Sequence, residues 1–198
     1  MSTAVFGGTF DPVHTGHVKM AQSAIQQFEL CRLVIVPNGN PPHKADITVT
    51  DFDHRYNMLK LAFEGMDKVE ISDYESREDK FSYSLYTMRY FREVYGEDTY
   101  FIIGADSLLS IHLWHEYRTL LKENRFIVFP REGGDELEAV ARKYRAMGSE
   151  IYFSHMPMID VSSTQIRSKL SCGSDCEGIL CPRVREYINK NSLYGGAL

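Results

Sequence analysis

Two histidines that stand three positions apart could act on a phosphate group. His14 and His17 belong to the segment GGTFDPVHTGH, residues 7–17, which follows a short apolar run and precedes a pattern of helical period. Free N–H groups and the dipole at the beginning of a helix favour an anion, and imidazoles beside that anion can donate hydrogen bonds to its oxygens. The two glycines let the backbone approach a ligand closely. The segment therefore predicts a phosphate site.

Better-known nucleotide-binding patterns are absent from this segment. It has neither the GxxxxGK[ST] spacing nor the GxGxxG spacing, which disfavours a P-loop enzyme and a typical Rossmann dehydrogenase. Each histidine alone also has a structural explanation, His14 as a turn residue and His17 as a helix cap or core residue. The full string after a predicted strand favours the phosphate site over that explanation.

A second candidate phosphate site lies near the carboxyl end of the chain. Ser162, Ser163 and Thr164 open a predicted helix, and Arg167 follows one turn later. The hydroxyl groups could simply cap the helix. With the backbone N–H groups and the guanidinium of Arg167, they could also hold a phosphate. Together with the histidine segment, this pattern predicts two helix N-termini that hold one polyphosphate from two sides.

Other candidates also follow predicted strands. Asp106, after Gly104, could accept a hydrogen bond from a ribose hydroxyl or cap the next helix. Trp114 could stack on a ring or fill the core. Lys44 follows a pair of prolines, and Arg131 follows a strand that ends in proline. Each of these two cations either binds an anion or is solvated at the surface.

Short apolar runs alternate with amphipathic helical patterns along the chain. Strands are predicted over residues 4–6, 32–37, 69–72, 99–103, 125–129 and 151–153. Helices are predicted over 16–28, after a cap at Thr50 or Asp51, and over 82–95, 135–147, 162–170 and 182–190. This alternation predicts an α/β fold, a Rossmann-like doubly wound parallel sheet with helices on both faces. We expect one domain over 1–198, with the helical part from about 162 packed on it. Ligands bind such folds beyond the carboxyl ends of the strands.

The composition limits the function classes. The chain has 198 residues, of which 43% are hydrophobic and 25% charged, and this suits one compact core. A net charge of −5 argues against a nucleic-acid partner. The amino terminus lacks the basic and apolar regions of a signal peptide, and the apolar runs are too short to cross a bilayer. We therefore expect no membrane partner and a cytoplasmic location.

The four cysteines do not form a recognisable metal-binding pattern. Cys31 stands alone, whereas Cys172, Cys176 and Cys181 lie close together without a CxxC pair or a nearby histidine. We expect reduced, structural cysteines, and a metal or redox role for the three remains the alternative.

The motifs together resemble those of the bacterial nicotinate-nucleotide adenylyltransferases, within the HxGH nucleotidyltransferase superfamily. The resemblance covers essentially the whole chain. It is carried, in order, by GGTFDPVHTGH at 7–17, PPHK at 41–44, HRYNML at 54–59, SYSLYT at 82–87, IGADSL at 103–108, Trp114, SSTQIR at 162–167 and the pattern from Pro182 to Tyr194. Two departures are Ser84, where the family often has threonine, and Val161, where isoleucine is commoner.

The resemblance implies adenylyl transfer from ATP to nicotinate mononucleotide, which gives nicotinate adenine dinucleotide and pyrophosphate in NAD synthesis. It implies that Mg²⁺ is carried on ATP rather than held by a protein metal site. The catalytic residues it implies are His14, His17 and Arg167. The ATP-binding residues are Gly8, Thr9, Phe10, His17, Gly104, Asp106, Ser162, Ser163, Thr164 and Arg167, and the mononucleotide-binding residues are Lys44, Ser84, Trp114 and Arg131.

Three alternatives stay open at this point. The same chemistry could act on nicotinamide mononucleotide, which differs by one carboxylate, or on another phosphate acceptor such as phosphopantetheine. The pantetheine enzymes usually carry TxGH and lack PPHK. A non-catalytic nucleotide sensor is the alternative from another class, although such a protein would usually have lost His17 or Arg167. The sequence leaves a homo-oligomer open.

Overall fold

The structure is a computed structural model that describes residues 2–39, 49–76, 82–130, 135–156 and 161–195. Its strands are β1 (Thr3–Gly8), β2 (Arg32–Pro37), β3 (Val69–Ile71), β4 (Thr99–Gly104), β5 (Arg125–Phe129) and β6 (Glu150–Phe153). Its α-helices are α1 (Thr15–Gln27), α2 (Phe52–Ala62), α3 (Ser84–Tyr95), α4 (Ala105–Ser110), α5 (Tyr117–Glu123), α6 (Asp135–Ala146), α7 (Ser163–Ser171) and α8 (Pro182–Lys190). Single 3₁₀ turns occur at Ile111–Leu113 and Leu193–Gly195.

The described strands form one parallel sheet in the order β3-β2-β1-β4-β5-β6. The chain moves outward from β1 through β2 to β3, then returns to place β4 on the other side of β1. The strand order therefore reverses between β1 and β4, and the loops that follow these two strands leave the sheet in different directions. Such a switch point opens a crevice at the carboxyl edge of a doubly wound sheet. The predicted Rossmann-like fold is confirmed.

Both faces of the sheet are buried, because successive side chains of each central strand point to opposite sides. In β2, Leu33 and Ile35 belong to one core, whereas Val34 and Val36 belong to the other. The first core is covered by α1, α2, α7 and α8, and the second by α3 to α6. The carboxyl-terminal helices thus pack on the same face as α1, where the histidine segment begins its helix.

The strand and helix boundaries agree best with the predictions where a proline or a glycine marks the end of the element. The bounds of β2, β5 and α8 match the predicted residues, and α3 and α6 end at Gly96 and Gly148 in left-handed conformations. The predicted start of α3, at Ser82, was wrong by two residues, because the helix begins at Ser84. The short helices α4 and α5 were not predicted. None of the described helices has the length and apolarity that a bilayer span requires.

Candidate active site at the carboxyl edge of the sheet

The first helix of the site begins directly after His14. This residue is the N-cap of α1, in extended conformation, and Gly16 follows in the first turn. A Cβ atom on Gly16 would lie 2.9 Å from Nδ1 and Cε1 of the His14 ring. Glycine at this position therefore makes room for the ring, which stacks on His17 with 3.7 Å between the ring centroids. The spacing H-x-G-H is thus a packing requirement as well as a chemical one.

The orientation of His17 is set by its neighbours. The backbone N–H of His14 donates to His17 Nδ1 at 3.2 Å, so a neutral His17 ring carries its proton on Nε2. The edge of Phe10 packs against the same ring, with centroids 4.9 Å apart. Phe10 was predicted to bind ATP, but its side chain is buried in the core, which leaves only its backbone to meet a ligand.

Both histidines are neutral near pH 7. Burial lowers the pKa of His14 from 6.5 to about 4. Burial also lowers the pKa of His17 well below its usual value, and the adjacent His14 lowers it further. Each ring therefore offers one N–H donor rather than a full positive charge. A phosphate beside these rings would meet these donors and the N-terminus of α1 rather than an imidazolium charge.

The second helix of the site is tied to the histidine segment. Ser162 caps α7 in a capping box: Gln165 N–H donates to Ser162 Oγ at 3.2 Å, and Ser162 N–H donates to Gln165 Oε1 at 2.9 Å. Ser163 Oγ donates to the carbonyl of Pro12 at 2.9 Å. The prediction that these hydroxyls cap the helix is therefore confirmed for Ser162. The other backbone N–H groups of the first turn of α7 point toward the amino end of the helix.

Arg167 holds the loop that precedes His14. Its Nη1 donates to the carbonyl of Asp11 at 2.7 Å, and its Nη2 donates to Thr164 Oγ1 at 3.4 Å. A guanidinium carries five donors in a fixed fork. Arg167 can therefore anchor the loop and still present donors to a phosphate.

The two helix N-termini meet at one pocket of about 280 Å³. Its walls include His14, His17, Gly104, Asp106, Ser162 and Ser163. The structure therefore brings the amino ends of α1 and α7 to one pocket, as the sequence predicted. Gly104, not Asp106, is the N-cap of α4, so the alternative that Asp106 caps this helix was wrong. Asp106 lies in the first turn of α4 instead.

A second pocket of about 310 Å³ adjoins the first. Gly7 and Ser107 line both pockets, which places their junction at the carboxyl end of β1 and the beginning of α4. Gly8, Thr9, Ser84 and Trp114 line the second pocket only. Of the residues predicted to bind ATP, His17, Gly104, Asp106, Ser162 and Ser163 line the first pocket, whereas Gly8 and Thr9 line the second and Phe10, Thr164 and Arg167 line neither.

Known proteins share this sequence and fold. A family model described as cytidylyltransferase-like matches residues 5–169. A protein of Thermotoga maritima named probable nicotinate-nucleotide adenylyltransferase is 42% identical, over 97% of this chain and 92% of the relative. One of Clostridium tetani with the same name is 39% identical, over 96% of this chain and 98% of the relative. The chain belongs to the nicotinate-nucleotide adenylyltransferase family.

The fold of this family member also matches solved structures. Nicotinic acid mononucleotide adenylyltransferase of Plasmodium falciparum, solved in complex with NaAD, superposes with a TM-score of 0.82. The alignment covers 99% of this chain and 98% of that one, at 22% identity. The same protein solved with APC gives a TM-score of 0.79. At this identity, the likeness establishes the fold.

Within this family fold, Trp114 lies between the second core and the second pocket. It is half-buried and packs against the second core, with its ring centroid 6.3 Å from that of Phe101. It also lines the second pocket, beside His115, whose ring stacks on Tyr83 at 4.2 Å. The two explanations given for Trp114 from the sequence, ring stacking and core filling, are therefore compatible.

Glu75 lines the second pocket and was missed in the sequence. Thr87 Oγ1 donates to Glu75 Oε1 at 2.5 Å, and Glu75 Oε2 is buried. Burial raises the pKa of Glu75, while hydrogen bonds from Thr87 and Ser82 favour the carboxylate. Nothing in the polar run YESRED sets this glutamate apart from solvated neighbours. The one indirect indication was Thr87, a polar residue on the buried face of α3, which needs a hydrogen-bond partner such as Glu75.

Two predicted cation ligands, Lys44 and Arg131, lie outside the described residues. Among the residues that are described, no group of three or more histidine, cysteine, aspartate or glutamate side chains could hold a metal ion. All four cysteines are free thiols, with Cys176 buried and Cys31 and Cys172 exposed.

Proposed function

We propose that this chain transfers the adenylyl group of ATP to nicotinate mononucleotide and releases pyrophosphate, the step that forms nicotinate adenine dinucleotide in NAD synthesis. The observation that carries the proposal is the meeting of the α1 and α7 N-termini at one pocket that opens beside a second. One pocket suits the triphosphate and adenosine, and the other suits the acceptor.

In this arrangement the phosphate of the mononucleotide attacks the α-phosphate of ATP in line, at the junction near Gly7. His14 and His17 donate hydrogen bonds to the reacting phosphates, while the α7 N-terminus and Arg167 hold the pyrophosphate that leaves. Catalysis then comes from positioning and from stabilisation of charge in the transition state. One well-placed donor in such a site contributes about 2.7–4 kcal/mol.

The remaining predicted residues receive the two nucleosides. Gly104 and the carboxylate of Asp106 bind the adenosine part, at the start of α4. Trp114 stacks on the pyridine ring in the second pocket, with Ser84 near its substituent, and Lys44 and Arg131 bind the phosphate of the mononucleotide. Mg²⁺ carried on ATP would neutralise part of the negative charge of its phosphates. Asp106 is the only carboxylate that lines the first pocket among the described residues, which suits a metal brought by the substrate.

The names of the relatives favour the acid over the amide. The test is pyrophosphate release from ATP with nicotinate mononucleotide, nicotinamide mononucleotide or phosphopantetheine as acceptor. We expect the highest kcat/KM with nicotinate mononucleotide. A higher kcat/KM with either of the other two acceptors would identify that compound as the substrate instead. No pyrophosphate release with any of the three would favour a nucleotide sensor. The cytoplasmic location and the homo-oligomer stay predictions from the sequence.

A further inference from the structure

A buried carboxylate lies behind the histidine segment. Asp11 is 5% exposed, and both of its carboxylate oxygens accept hydrogen bonds. Tyr194 OH donates to Oδ1 at 2.5 Å, and Thr50 N–H donates to Oδ2 at 3.2 Å. A buried charge is tolerated only when such partners compensate for the lost solvent. The bond to Tyr194 joins two residues that are 183 positions apart in the chain.

Tyr194 reaches Asp11 from a specific backbone conformation near the end of the described chain. The residue lies in the 3₁₀ turn Leu193–Gly195 and has a left-handed φ of 60°. Such a conformation is unusual for a bulky residue and indicates that surrounding contacts determine it. The Tyr194 side chain packs against the first core, and burial followed by the bond to Asp11 raises the pKa of its hydroxyl. The phenol therefore remains a hydrogen-bond donor.

Two arginines hold the same short loop from other helices. Arg55 of α2, which is 1% exposed, donates from Nη1 to the carbonyl of Thr9 at 2.9 Å and from Nε to the carbonyl of Thr50 at 2.7 Å. Arg167 of α7 donates to the carbonyl of Asp11. The loop before His14 is thus fixed by α2, by α7 and by the carboxyl-terminal turn.

We propose that Tyr194 is a positioning residue for adenylyl transfer: its hydroxyl, through Asp11, fixes the loop that orients His14 and anchors Arg167. This proposal rests on the proposed function. Tyr194 lines neither of the two substrate pockets. A shift of Asp11 would displace its carbonyl, which accepts a hydrogen bond from Arg167. It would also move the backbone three residues before His14. Both phosphate-binding helices would then lose their relative placement.

The test compares Tyr194→Phe with Asp11→Ala and with the double variant, in pyrophosphate release over a range of concentrations of both substrates. A misplacement of about 1 Å can cost about 100-fold in rate, so we expect kcat to fall by about 10- to 100-fold while both KM values change less than twofold. Because both changes remove the bond between Tyr194 and Asp11, the losses in kcat of the two single variants should not add in the double variant. Tyr187→Phe is the matched control. It also loses a carboxyl-terminal hydroxyl, bonded to His54 and Asn57 of α2, and should keep its kcat.

A Tyr194→Phe enzyme with the kcat of the Tyr187→Phe control would overturn the proposal. If Tyr194→Phe does not fold, Asp11→Ala removes the same bond from the other side, and an unchanged kcat in that variant would also overturn the proposal. A second measurement is independent of turnover: the imidazole NMR signals of His14 and His17 should shift in Tyr194→Phe and not in Tyr187→Phe. An inactive wild type would refute the proposed function, whereas unshifted imidazole signals would refute the positioning role.

Discussion

At the scale of single residues, the histidine segment works because each member fixes the next. Gly16 leaves space for the His14 ring, the His14 ring stacks on His17, and the His14 amide determines which nitrogen of His17 carries the proton. The motif gave the residue types and their spacing. The protonation state did not follow from the motif, because it depends on how deeply the finished fold buries both rings.

The proton on His17 Nε2 leads to a prediction that distinguishes two substitutions. A glutamine amide reaches roughly the position of Nε2, whereas an asparagine amide reaches only that of Nδ1. We expect His17→Asn to lower kcat by about 100- to 1,000-fold, the usual loss for one such donor, and His17→Gln to retain about tenfold more activity. Pyrophosphate release at saturating ATP measures the difference. An asparagine variant as active as the glutamine variant would contradict this assignment.

Neutral buried histidines also predict a pH dependence of stability. The unfolded chain binds a proton at position 14 below pH 6.5, whereas the folded chain does so only near pH 4. The unfolded state therefore gains protons first, and the free energy of unfolding falls as the pH falls. We expect a loss of about 2 kcal/mol from His14 between pH 7 and pH 5, with His17 acting in the same direction.

Urea unfolding of the wild type and of His14→Asn at pH 7, 6 and 5 checks this. The variant lacks the titrating ring, so its stability should fall less over this range, and the difference isolates His14 from the carboxylates. Parallel pH profiles for the two proteins would show that the His14 pKa is not lowered in the folded state.

At the scale of elements, the site depends on where two helices begin. The start of α1 was predictable because glycines and a proline precede a clear amphipathic run, and the start of α7 because three hydroxyl residues mark it. The helices α4 and α5 were missed because each is only two turns long or less, too short for a helical period to emerge. Gly104, read as the end of a strand, also caps α4.

The cap of α7 carries a prediction of its own. Ser162→Ala removes the side chain that accepts from the Gln165 N–H, which should lower the free energy of unfolding by about 1 kcal/mol. Because this helix end lines the first pocket, where we propose that the triphosphate binds, kcat/KM for ATP should fall as well. Ser171→Ala, at the other end of the same helix, is the control and should leave kcat/KM unchanged. The same kcat/KM for ATP in the two variants would show that the N-terminus of α7 does not contribute to ATP binding.

At the scale of the whole molecule, the reversal of strand order is what brings the candidates together. Alternating apolar runs and helices were enough to predict the parallel sheet and the edge at which ligands bind. They could not predict that β1 would lie between β2 and β4, nor that Gly7 and Ser107 would line both pockets. Glu75 and Tyr194 show the same limit, since their partners Thr87 and Asp11 are brought close only by the finished packing.

The most direct test of the central claim is a crystal structure of the protein with a non-hydrolysable ATP analogue and Mg²⁺. We predict that the β- and γ-phosphates lie between the N-terminus of α1 and that of α7, within hydrogen-bond distance of His17 and of the first N–H groups of α7. A triphosphate bound elsewhere, with the space between the two helix ends empty, would contradict the account.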